Sequence, residues 1–201
     1  MLNIVFYFQV HQPYRLTHFN VLDIGNNAKI FDERLNSNVM RKVSKNCYLP
    51  TNQLLLELIQ KYEGRFKVAF SITGTAIEQF KLYSPETLDS FKCLIDTGCV
   101  ELLGETYFHS LSFLFDTNDF LDQVYMHREL MQKEFGYYTT TFRNTELIYQ
   151  DRLSDIIYEI EGFKTIITEG VDRILQWRSP LYAYKNYAKN LNLLLKYYQL
   201  A

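Results

Sequence analysis

A repeated order of segments constrains this chain most: a short apolar run, then polar residues able to do chemistry, then a segment with helical period. Leu2–Val10 leads into His11-Gln12-Pro13, and Phe66–Ile72 leads into Thr73 and Thr75. Val100–Leu103 leads into Glu105 and His109, Thr139–Phe142 into Asn144 and Glu146, and Thr165–Thr168 into Glu169. Near-continuous apolar runs are what parallel strands buried on both faces look like. Strands alternating with helices build right-handed βαβ units. In a β/α barrel one rim collects the C-terminal ends of the strands, and catalytic groups lie there.

The expected fold is therefore α/β, a TIM-like barrel with about six parallel strands and flanking helices. The six strands are Leu2–Val10, Phe66–Ile72, Val100–Leu103, Thr139–Phe142, Lys164–Thr168 and Leu191–Lys196. Between the first two lies a long polar segment, His11 to Lys45, with a short helix expected near Ala28–Leu35. Pro50 opens a helix whose stripe is Leu54, Leu55, Leu58, Ile59 and Tyr62. Ser84-Pro85-Glu86 is a helix start: a capping residue, a proline at the first helical position and an acid at the positive dipole end. Helical period also marks Asn118 to Phe135 and the stretch Leu153–Ile160. Six strands are few for closure, and an open sheet leaves unpaired edges. A single β/α-barrel domain over residues 1–201, cut short at its C-terminal end, is the expectation.

Charge narrows the partners. The net charge of the 201 residues is −2, with no basic stripe, so nucleic acid is not expected. No apolar run is long enough to span a bilayer, so no membrane partner is expected. Cys47, Cys93 and Cys99 form neither a disulfide framework nor a metal knuckle, which points to a reducing, cytoplasmic setting. Neither a Walker A loop nor G-x-G-x-x-G occurs, and no cofactor or metal is expected.

Four stretches resemble one known family. His11-Gln12-Pro13 resembles its first signature, and Gly98 through Leu111, containing Glu105 and His109, its second. Phe142-Arg143-Asn144-Thr145-Glu146 resembles the third, and Trp177-Arg178-Ser179-Pro180 a stretch of its α-amylase-like members. The family is glycoside hydrolase family 57, the α-amylase and 4-α-glucanotransferase group. The resemblance implies an incomplete (β/α)7 barrel that acts on α-1,4-glucans or maltooligosaccharides with retention. It implies Glu146 as the nucleophile, and His11, Gln12, Glu105, His109, Trp177 and Arg178 as substrate-binding residues.

Retaining glycoside hydrolysis needs a second carboxyl group about 5–5.5 Å from the nucleophile to protonate the leaving oxygen. The resemblance places that acid on a later strand, and no counterpart is found here. Glu105, beyond a strand end, and Glu101, within a strand, are the substitutes on offer. Other readings stand beside this one: a non-catalytic glucan-binding remnant, or one half of a split enzyme completed by a second polypeptide. A metal-dependent polysaccharide deacetylase is disfavoured, because Phe113 stands where a second histidine, four residues after His109, is needed. His127 shares a helical face with Phe120, Val124 and Met131 and reads as a core histidine. Trp177 reads equally as a sugar platform or a core filler. Arg178 is able to pair with Asp172, and the tyrosines of the tail read as packing.

Overall fold

The computed structural model describes residues 4–18, 20–23, 25 and 29–200. Three strands form one ladder, Tyr7–Val10 (β1), Val68–Ile72 (β2) and Val100–Leu102 (β3), all parallel. A second ladder holds Thr141–Arg143 (β4), Thr165–Glu169 (β5), Tyr184–Lys185 (β6) and Asn192–Lys196 (β7), in the order β4-β5-β7-β6. Gly104 joins the two: its N–H donates to the Thr141 carbonyl, and its carbonyl accepts from the Arg143 N–H, both at 2.8 Å. A side chain at position 104 would meet the Phe163 ring at 2.7 Å, so the seam between β3 and β4 closes only over glycine. Six parallel strands result, and β6 is a short antiparallel edge on β7.

Side chains alternate across this sheet, and the two faces separate cleanly. Phe70, Ile72, Leu102, Phe142, Ile166 and Leu193 point outward into two aromatic-rich layers beneath the helices. Tyr7, Ala69, Leu103, Ile167 and Leu194 converge with Leu147 on the concave side. Gln9 of β1 and Arg143 of β4 are three strands apart, about 14 Å along a flat sheet. Their side chains nevertheless meet at 2.9 Å, so the sheet is curled into a barrel wall. Among the described residues no pairing joins β1 to β7.

The helices depart from expectation in several places. The short helix expected at Ala28–Leu35 is instead Glu33–Val43 (α1); Ala28 lies outside the described residues. A π-helical turn, Ser44–Tyr48, runs directly into Leu49–Lys61 (α2), so the C-terminal part of the polar segment, from Glu33 on, is helix. The buried face of α1 carries Asn36 beside Met40, which hides its period. Asn36 is buried because its amide brackets Arg15, accepting from the Arg15 N–H at 2.8 Å and donating to its carbonyl at 3.1 Å. No helix was named for Gly74–Tyr83 (α3); Thr73 is its N-cap.

The remaining helices are Pro85–Asp96 (α4), Thr117–Phe135 (α5), Asp151–Glu159 (α6) and Asp172–Leu175 (α7), and the first three match expectation closely. No helix among the described residues is long and apolar enough to cross a membrane.

Candidate active site

The C-terminal ends of β1 to β4 deliver their polar residues to one place. His11 leaves β1, Thr73 leaves β2, Glu105 and His109 follow β3, and Glu146 follows β4. The rings of His11 and His109 stack with centroids 4.4 Å apart. His109 Nε2 lies 3.4 Å from Glu146 Oε1, and the Glu146 side chain is 68% exposed.

Backbone conformation at this point is costly. His109, Glu146 and Leu147 all have positive φ (57°, 54° and 55°), and none is glycine. Each such residue costs on the order of 1–3 kcal/mol unless its surroundings impose the geometry. Around Glu146 they do. Leu147 is buried in the barrel interior, and its carbonyl accepts from the Thr168 hydroxyl at 2.9 Å. The Asn144 amide donates to the Ile148 carbonyl at 3.0 Å, and Thr145 meets the Thr106 hydroxyl at 3.1 Å. The turn is pinned from both sides, and the carboxylate at its apex projects outward.

Beneath His109 the contacts are fully buried. Glu105 has no exposed surface; its Oε1 accepts from the Ser71 hydroxyl at 2.6 Å and its Oε2 faces His109 Nδ1 at 3.3 Å. Glu105 thus orients the His109 ring and offers no carboxyl to the rim. Glu101 lies within β3, four residues before Glu105, and accepts from the Thr141 hydroxyl at 2.6 Å. Neither takes the place of an acid beside Glu146. Glu169, at the end of β5, is engaged by Lys196 at 3.6 Å.

His11 Nδ1 is 3.0 Å from the Thr73 hydroxyl. Burial pushes its pKa below the ordinary 6.5, and the neighbouring His109 adds to the shift. Gln12 does not face the cluster. Its amide donates to the Tyr48 hydroxyl at 3.3 Å and its side-chain oxygen accepts from Arg15 at 3.0 Å, so it buttresses the loop after β1.

Trp177 is 86% exposed, which removes the core-filling reading, and Arg178 lies over its ring at 5.8 Å. Neither touches the histidine cluster. Asp172 accepts from Tyr198 rather than pairing with Arg178. Tyr182 and Tyr187 are exposed, and only Tyr184 of the tail tyrosines packs on the core.

His127 is fully buried, as expected of a core histidine. Its Nε2 donates to the Ile72 carbonyl at 2.9 Å, which leaves Nδ1 without a proton, and burial lowers its pKa. For both lowered histidines the unfolded chain takes up the proton first. Stability therefore rises with pH between the lowered folded values and 6.5, and is lost as pH falls below about 6.5. Urea unfolding is expected to show a lower midpoint at about pH 5.5 than at about pH 7.5. A midpoint that holds or rises on acidification would count against the neutral, buried state of these rings.

Sequence reasoning missed Gln9 and Arg143. Both sit inside strands, and their side chains meet across the barrel just below the rim.

The chain is 46% identical to a protein of Methanocaldococcus jannaschii named "Putative alpha-amylase", over 98% of this chain and 42% of the relative. It is 27% identical to an α-amylase of Pyrococcus abyssi over 65% of the chain and 19% of the relative. In fold it matches the 4-α-glucanotransferase of Thermococcus litoralis with a TM-score of 0.74 at 19% identity, covering 99% of this chain and 28% of that one. The α-amylase AmyC of Thermotoga maritima matches with a TM-score of 0.69 at 11% identity, covering 98% and 46%. The chain thus spans less than half the length of each. The family profile described as glycosyl hydrolase family 57 matches residues 5–201, from the first strand of the curled sheet to beyond its last. By that match and by its nearly half-identical relative, the chain belongs to glycosyl hydrolase family 57.

Proposed function

We propose that this chain is the barrel portion of an α-glucan-cleaving, retaining glycoside hydrolase in which Glu146 is the nucleophile. One observation carries the reading: a strained, pinned turn projects a carboxylate into solvent beside two stacked imidazoles on the catalytic rim. Glu146 attacks the anomeric carbon of the sugar and the bond to the leaving oxygen breaks as that oxygen takes a proton from the general acid; the same residue, now a base, takes a proton from the water that hydrolyses the glycosyl-enzyme and frees Glu146. His11 and His109 hydrogen-bond sugar hydroxyls around that carbon, and the exposed Trp177 and Arg178 offer a stacking face and a cation farther along the rim. Glu105 acts from beneath, through His109.

The leaving oxygen must be protonated, and the other carboxyl groups on offer are engaged elsewhere: Glu105 is buried against Ser71 and His109, Glu101 accepts from Thr141, and Glu169 pairs with Lys196. We assign the general acid to polypeptide beyond these 201 residues, on the same chain or on a second one; the relatives it matches are more than twice as long.

This assignment has a chemical test. Fluoride departs without protonation, so an α-maltosyl fluoride bypasses the acid. The 201-residue chain is expected to release about one equivalent of fluoride per chain, since the same missing residue is the base for the second step, while leaving ordinary maltooligosaccharides nearly untouched. Comparable turnover of both would put the acid within the chain. Binding of maltooligosaccharide with no fluoride release would favour a non-catalytic glucan-binding protein.

A further inference from the structure

Arg143 is a buried cation that the proposed chemistry leaves unused. It is 3% exposed, and its Nε and Nη1 are sealed with no hydrogen-bond partner. Its Nη2 makes one hydrogen bond, to Gln9 Oε1 at 2.9 Å. A guanidinium so poorly satisfied is a poor stabiliser, because buried unpaired donors carry their full desolvation cost. What that single bond does is informative.

Arginine has donors only. The atom of Gln9 that faces Arg143 must therefore be the carbonyl oxygen, and the amide nitrogen must face the other way. That nitrogen lies 3.0 Å from His109 Nε2. An amide N–H is a donor, so His109 Nε2 is held as an acceptor, without a proton. The ring's proton then sits on Nδ1, facing Glu105 Oε2. Two of the polar groups around the ring agree on this tautomer: Glu105 below accepts at Nδ1, and Gln9 beside it donates to Nε2.

Glu146 is the one group that would gain from a proton on Nε2, since its Oε1 lies 3.4 Å away. A carboxylate that accepts a strong, charge-assisted hydrogen bond has its electron pair engaged. We propose that Arg143 and Gln9 are positioning residues: together they fix the His109 tautomer so that the imidazole faces Glu146 without a proton. The consequence for nucleophilicity rests on Glu146 being the nucleophile; the tautomer itself does not.

Long-range proton–nitrogen NMR correlations of the imidazoles in the full 201-residue chain test this near neutral pH. His109→Gln identifies the ring by the signals that vanish. The wild-type chain is expected to show His109 with Nδ1 protonated and Nε2 bare; a proton on Nε2 overturns the proposal at once. Gln9→Met removes the donor while leaving the Arg143 charge in place, and Nε2 is expected to become the protonated, Glu146-facing nitrogen. An unchanged pattern in this variant would show that Glu105 alone sets the tautomer, and would overturn the role of the pair. Arg143→Met should act like Gln9→Met, and Arg143→Lys, again a pure donor, should restore the wild-type pattern. If Arg143→Met fails to fold, Gln9→Met decides. Glu146→Gln is expected to leave the wild-type tautomer in place even if Glu146 proved not to be the nucleophile, so the two proposals fail separately.

Discussion

Replacing Glu146 with glutamine is expected to slow fluoride release from α-maltosyl fluoride by a factor on the order of 10^4–10^6, the scale seen when a covalent nucleophile is removed. The amide has the carboxylate's size but no anionic oxygen to attack the anomeric carbon, so the glycosyl-enzyme cannot form. Folding should hardly change. The side chain is 68% exposed and makes no hydrogen bond that fixes the turn; the turn is held by Asn144, Thr145, Leu147 and Thr168. An unfolding free energy within about 0.5 kcal/mol of wild type is therefore expected. Release by the folded variant at wild-type rate would remove Glu146 from the chemistry.

The second large effect concerns stability. Phe142 has no exposed surface and packs edge-on against Phe120 of α5 and against Phe163, with ring centroids 5.9 and 5.5 Å away. It forms the outer face of β4, between the interior-facing Thr141 and Arg143. Phe142→Ala deletes a ring from the second core layer, and is expected to cost about 3–5 kcal/mol. Domains of this kind are stable by about 5–15 kcal/mol in total, so much of the margin disappears. The site should suffer too, since β4 carries Arg143 within it and Glu146 just beyond it. Urea unfolding followed by circular dichroism gives the figure; a loss under about 1 kcal/mol would show that the layer relaxes around the hole.

Much of the rim was legible in the sequence because parallel strands announce themselves as apolar runs and their ends as polar interruptions. His11, His109 and Glu146 fall together as the alternating order of segments implies. Glu105 was legible as a rim residue by sequence position but not by depth. Its burial follows from hydrogen bonds to Ser71 and His109, partners 34 residues before and four after it.

Gln9 and Arg143 were not legible at all. Each is a polar residue inside a strand, and their contact spans 134 positions and exists only because the sheet curls. The helix α1 was misplaced because Asn36 takes a core position that hydrophobic period cannot register; the Arg15 backbone satisfies it. The helix that opens at Gly74 carried no signal that was named in the sequence. The Tyr107 ring fills the space over it, and a side chain there would meet that ring at 2.5 Å. Trp177, ambiguous as a lone aromatic, proved to be a surface residue.

The most direct measurement is covalent. A 5-fluoro-α-glucosyl fluoride slows breakdown of the glycosyl-enzyme and carries a leaving group that needs no acid, so the adduct accumulates on whichever side chain attacks. Incubation of the chain with this reagent, then intact-mass and peptide-level mass spectrometry, should find one added glycosyl group, on Glu146. A stoichiometric adduct on Glu105, Glu169 or any other residue, with Glu146 unmodified, would contradict the account.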